Sequence, residues 1–176
     1  MNRFTHALSG LLLVGGLIAL PGAAQAAPAA TPGCTNADLK VTLHTRGAAA
    51  GSAYVALRYT NVSGQACRTG GYGGLSFVGH GNGTQLGSPA TRAPGTTVRS
   101  FVLRPGQSAT SLVQIANALN FPQHVCHPTK ADGFRVYVPN ARASQFVAYS
   151  TLACAKPLGS GAGGWQLSHQ ALRKVR

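Results

Sequence analysis

Through most of the chain, apolar and polar residues alternate in short runs bounded by Gly, Asn and Pro. That period-two pattern marks strands with one wet face. In Ala53–Asn61, Val55, Leu57 and Tyr59 share one face while Tyr54, Ala56, Arg58 and Thr60 share the other. In Phe134–Val138, Phe134, Val136 and Val138 lie opposite Arg135 and Tyr137. The same reading predicts strands over Leu39–Thr45, Leu75–Val78, Thr97–Leu103, Ser108–Ile115 and Phe146–Thr151. Asn61–Gly64 and Gly79–Gly83 read as hairpin-like connections, and Arg104-Pro105-Gly106-Gln107 places Pro-Gly at the centre of a turn. Helix signals are sparse: one turn over Ile115–Leu119, and a C-terminal Leu167–Val175 that suits a short helix or a last strand. The expected architecture is an all-β, immunoglobulin-like sandwich of about seven or more antiparallel strands.

The N-terminus breaks the pattern. Arg3 precedes an uncharged apolar segment from Ala7 to Leu20, Pro21-Gly22 ends it, and Ala24-Gln25-Ala26 has the small-x-small form of a signal peptidase site. The apolar run is shorter than the ~20 residues that span a bilayer, and Gly10, Gly15 and Gly16 interrupt it. The organisation expected is a signal peptide over 1–26 (with a retained anchor as the alternative), a Pro/Ala linker over 27–33, and one domain over 34–176 ending in a basic tail, Arg173 to Arg176. Cys34 lies too far beyond the apolar run for a lipoprotein. The chain is then secreted, extracellular or wall-associated, with no transmembrane segment after cleavage.

Charge narrows the chemistry. The chain has 15 Lys and Arg against two acids, Asp38 and Asp132, and no Glu; without Arg3 the balance is 14 against two, or +12. Paired-carboxylate hydrolysis and carboxylate-bound calcium need acids that this chain barely has. The basic excess is spread along the chain and attracts polyanions generally, without a site for specific nucleic acid. The four cysteines, Cys34, Cys67, Cys126 and Cys154, read as two disulfides with three open connectivities. His124, Cys126 and His127 form a tight cluster, but it lacks the spaced ligand pairs of structural zinc, so neither metal nor cofactor is expected.

No catalytic frame is present. The chain has no G-x-S-x-G elbow, and the Gly70–Gly74 run lacks both a nucleophile and the Lys-Ser/Thr end of a phosphate loop. Asp38 and Asp132 read as turn or capping carboxylates. Asn61-Val62-Ser63 and Asn82-Gly83-Thr84 match the glycosylation acceptor pattern. Trp165, the only tryptophan, follows the Gly-rich stretch 159–164 and is expected to dock on the core with Leu167 and Leu172.

The order of these features resembles the exported actinobacterial domain of unknown function DUF4232. The resemblance rests on Cys34-Thr35-Asn36-Ala37-Asp38-Leu39, Val55 to Asn61, Ser63-Gly64-Gln65-Ala66-Cys67, Gly71 to Phe77, Leu103 to Ala109, Cys126-His127-Pro128, Gly133 to Pro139 and Cys154. Gly73 stands where the family typically has proline. The resemblance implies a secreted or surface-attached β-sandwich in which Cys34 pairs with Cys67 and Cys126 with Cys154. It brings no catalytic residue, ligand or partner.

The function expected is a non-enzymatic, envelope-associated binding or structural domain whose partner is an anionic cell-wall polymer or an extracellular protein. The binding residues are left unassigned. A secreted protease inhibitor using the loop Phe121–Lys130 is the alternative, and a hydrolase built on Asp38 or Asp132 a third.

Overall fold

The computed structural model describes residues 30–159 and 164–175. The signal peptide expected over 1–26, the start of the linker and part of the Gly-rich stretch lie outside them. Among the described residues twelve strands form in chain order: β1 (Leu39–Ala49), β2 (Ser52–Asn61), β3 (Cys67–Gly70), β4 (Gly74–Gly79), β5 (Thr84–Leu86), β6 (Thr91–Arg92), β7 (Ser100–Leu103), β8 (Ser108–Ala116), β9 (Pro128–Tyr137), β10 (Ser144–Cys154), β11 (Leu167–His169) and β12 (Arg173–Lys174). A 3-10 turn at Ala118–Asn120 and a helical turn, α1 (Gln123–Cys126), precede β9.

The first sheet runs β1-β2-β8-β11-β6, with β12 also paired to β8; the second runs β10-β9-β4-β5, and β3 pairs with β7 separately. The order β1-β2-β8 against β10-β9-β4-β5 is that of strands A-B-E and G-F-C-C′ in an immunoglobulin sandwich. The C-terminal β11 takes the place beside β8 that a fourth strand of that sheet would hold.

The period-two pattern sets what lies between the sheets. Val41, Val55, Leu57, Tyr59, Val113 and Ile115 from the first sheet meet Leu75, Phe77, Phe134, Val136 and Val147 from the second. Phe77, Phe134 and Tyr149 stack successively, with ring centroids 5.0 and 5.2 Å apart. Two disulfides, Cys34–Cys67 and Cys126–Cys154, staple the sandwich in the connectivity that the family resemblance implied.

Several expectations are revised. Thr97–Leu103 shortens to β7, Ser100–Leu103, because the ladder with β3 ends at Gly70↔Ser100. Ile115 belongs to β8, which runs on to Ala116, and the turn begins at Ala118, capped by Asn117, whose Oδ1 accepts from Leu119 N at 3.0 Å. Asn61–Gly64 is not a hairpin; it leads from β2 to β3, which belong to different sheets. The β1–β2 hairpin is instead made by Ala50 and Gly51, both at positive φ (47° and 72°), as a two-residue turn of strand-compatible twist requires. Asp132 lies in β9 at a bulge, where the register with β4 slips between Val78 and Gly79, and not in a turn. Of the two alternatives for Leu167–Val175 the strand holds, as two short pieces, β11 and β12, joined through Gln170–Leu172, so Arg173 and Lys174 of the basic tail belong to a sheet.

Candidate functional site

The strand register of the first sheet gathers basic residues from distant parts of the chain. Lys40 stands opposite Thr60, and Thr42 opposite Arg58. Across the next ladder Arg58 faces Thr110 and Thr60 faces Ser108. Thr110 in turn faces Arg173 of β12. Because Leu57, Tyr59 and Ala109 point inward and are buried, these residues line the outer face. One row reads Thr42–Arg58–Thr110–Arg173, and beside it Lys40–Thr60–Ser108. The hydroxyls interconnect: Thr60 Oγ1 and Ser108 Oγ are 2.9 Å apart, and Thr42 Oγ1 lies 3.3 Å from His44 Nε2. The result is a flat face carrying Lys40, Arg58 and Arg173 among hydroxyls.

No carboxylate hydrogen-bonds these cations among the described residues. Asp38 Oδ2 accepts from Thr35 N and Thr35 Oγ1, each at 2.7 Å. The backbone N–H of Thr35, reinforced by its hydroxyl, holds the Asp38 carboxyl below the usual carboxylate range. Asp132 Oδ2 accepts from Gly81 N at 2.7 Å, tying the β4–β5 hairpin to the β9 bulge. Arg58 Nε is buried and has no hydrogen-bond partner. Arg58 and Arg173 sit two strand spacings apart, roughly 9–10 Å. At that distance their repulsion in water is only about 0.4 kcal/mol before salt screening, so the fold tolerates what an anion would relieve.

Ser111 and His169 form a Ser–His pair that the sequence did not suggest. Ser111 Oγ lies 3.5 Å from His169 Nδ1, but it donates its own proton to Gln170 O at 2.6 Å. A serine whose proton is directed at a carbonyl is not primed by that histidine, and neither Asp38 nor Asp132 orients the ring. Tyr72 meets His169 edge-on at 5.3 Å, and the Arg92 guanidinium lies 5.1 Å from the Tyr72 ring centre. Burial, and then the Arg92 charge, pull the His169 pKa down to about 4, so the ring is neutral at ordinary pH. This cluster anchors β11 inside the sheet. Tyr72, in the middle of the glycine run, therefore packs half-buried against the C-terminal arm.

Other candidates are absorbed by the fold. Cys126 is bonded to Cys154, which removes the thiolate of the His124-Cys126-His127 cluster. The Phe121–Lys130 segment contains the helical turn α1, followed by His127 in a left-handed conformation, so it is not an extended loop of the kind that threads a protease cleft. Asn61 is 1 % exposed. Its Nδ2 donates to Gln65 O at 2.8 Å and Leu103 O at 2.9 Å, while its Oδ1 accepts from Ser63. It is an internal bracket in the folded domain, whereas Asn82 is exposed. Trp165 is half-buried beside the buried Gln166 and Leu167. An open concavity of about 530 Å³ beside the β1–β2 hairpin has a wall mostly of alanine, glycine and aliphatic residues, with no charged side chain to orient a ligand. No helix among the described residues is long and apolar enough to cross a membrane.

In the sequence, Arg58 is one polar position of the alternating strand Ala53–Asn61. Its partners on that face come from positions 40 and 173, and only the register reveals the grouping.

A family model described as a domain of unknown function (DUF4232) matches residues 34–166 of the chain. No curated protein and no solved structure matches.

Proposed function

We propose, since the chain belongs to the DUF4232 family and that family carries no assigned function, that it is a secreted, non-enzymatic domain that binds an anionic polymer of the cell envelope. The supporting observation is the outer face of the first sheet, where Lys40, Arg58 and Arg173 stand in adjacent rows without a carboxylate partner. A flat face with several separated cations suits a repeating anion laid across the strands better than a small molecule, which needs enclosure. Arginines engage phosphate or carboxylate in bidentate fashion, and the neighbouring hydroxyls accept or donate to sugar groups. The leader expected over 1–26 and the two disulfides favour an oxidising site outside the cytoplasm.

The test is co-sedimentation of the full mature chain with purified cell wall at physiological salt, beside an unrelated β-sandwich of equal charge. Preferential binding that falls in an Arg58→Gln/Arg173→Gln variant is the expected result. Binding no better than the charge-matched protein, or undiminished in the variant, overturns the reading.

A further inference from the structure

A second group of cations lines two adjoining concavities at one end of the sandwich, away from the sheet face. Two adjoining concavities, of about 300 and about 620 Å³, share Gly33 and Asn140 in their walls. Arg68 and Arg99 line the first and Arg142 the second, and no acidic side chain lines either.

Each arginine is brought there by a specific local device. Arg68 follows Cys67, whose disulfide to Cys34 fixes the base of this end. Its backbone is held on both sides: Arg68 N donates to Pro32 O at 2.7 Å and Arg68 O accepts from Cys34 N at 2.9 Å, while β7 pairs with the other edge through Val102. Arg99 is drawn against β3 because Gly70 has no side chain; a Cβ there would stand 2.1 Å from Arg99 O. Arg142 sits in the β9–β10 turn, which Asn140 enters with φ 65° and which Ala141 N closes on Val138 O at 3.0 Å. The backbone positions of all three are thus set before any ligand arrives, which limits the ordering cost of binding.

We propose that this end of the sandwich is a binding site for a compact phosphate-monoester dianion, distinct from the polymer-binding face. Three guanidiniums against one nearby carboxylate, that of Asp38, whose Oδ2 is taken up by Thr35 N and Oγ1 in the second wall, favour an ion of charge near −2 over a singly charged one. Planar N–H forks match the tetrahedral oxygens of phosphate, and the Asn140 amide and Ser100 hydroxyl in the same walls supply neutral polar contacts. The site does not depend on the sheet-face reading, since it shares none of its residues.

The experiment is an NMR titration of the disulfide-intact mature chain with methyl phosphate at pH 7.5, following the backbone amides of Gly70, Gly71 and Asn140. Saturable shifts confined to this end are expected. Arg68→Gln and Arg99→Gln should each weaken binding on the order of ten- to a hundred-fold, as loss of a charge-assisted pair does. Arg58→Gln/Arg173→Gln should leave it unchanged, which separates this site from the sheet face. Methyl sulfate, a monoanion of similar shape, should bind at least about ten-fold more weakly, and methyl phosphate should weaken towards pH 5 as it becomes a monoanion (pKa about 6). Absence of saturation at millimolar methyl phosphate, insensitivity to Arg68→Gln and Arg99→Gln in a variant that retains native amide dispersion, or equal binding of methyl sulfate each overturns the proposal.

Discussion

Arg58 and Arg173 lie in one cross-strand row with Thr110 between them, although 115 positions separate them in the chain. Replacing both by glutamine removes two outer-face charges, that of the half-buried Arg58, whose Nε is unpaired, and that of the exposed Arg173. Stability measured by urea unfolding should change by no more than about 0.5 kcal/mol. Binding to polyphosphate of defined length should respond much more strongly. The slope of log K against log salt should become shallower by about 1.5, corresponding to two fewer counterions displaced.

His169 makes stability depend on pH. Its folded pKa of about 4 lies below the unfolded value near 6.5, chiefly through burial and secondarily through Arg92. Between those values the unfolded chain binds a proton that the folded chain does not. The contribution is therefore fully present above pH 6.5, is lost as pH falls towards 4, and changes no further below that. The total is on the order of 3 kcal/mol. Tyr72 packs edge-on against the ring, and the Arg92 guanidinium lies over Tyr72. Urea midpoints measured across this window should fall, and His169→Gln should flatten the profile.

Each disulfide closes a loop of similar size, with sequence separations of 33 and 28. Replacing Cys126 and Cys154 together by alanine should cost about 3–4 kcal/mol in the chain-entropy picture. Circular-dichroism melts should show a correspondingly lower midpoint. Because Cys34–Cys67 stays closed in that variant, methyl phosphate binding at the far end should survive while the domain remains folded.

Asn61 carries three roles in a buried corner: two donor bonds to carbonyls and one acceptor for Ser63. Asn61→Ala leaves Gln65 O and Leu103 O without that partner and should destabilise by about 2–3 kcal/mol. Produced in a glycosylating host, the folded domain should carry glycan at Asn82 and none at Asn61, which intact-mass analysis of the wild type and Asn82→Gln would show.

The long strands were legible because a half-buried strand writes its geometry into the chain. Val55, Leu57 and Tyr59 alternate with Arg58 and Thr60, and the ladder follows that alternation residue by residue. The short strands β5, β6 and β12 left no such trace, since two or three residues are too few to establish a period and their pairing is fixed by neighbours already in place. Asp132 was half legible: its carboxylate caps Gly81 N of the β4–β5 turn as a capping carboxylate would, but Ala-Asp-Gly, which is turn chemistry, here bends a strand at a bulge. The disulfide pairing came from resemblance, because spacing alone allowed three connectivities. The candidate site was the least legible part. Lys40, Arg58 and Arg173 become neighbours through two ladders and a returning C-terminus, and no local window contains more than one of them.

The placement of β11 constrains the order in which the domain can be completed. It follows β1 to β10 in the chain, yet it lies between β8 and β6, with Leu167 and His169 buried and Leu172 buried just beyond it. A nascent chain lacking these residues would present β8 with one ladder unfilled and part of the core open. Closure of the first sheet therefore waits for the segment that carries β11, and these high-separation contacts place the step late in folding. Until then the unfilled edge of β8 can take a strand from another chain, so crowding during synthesis is when this domain is most exposed to mispairing.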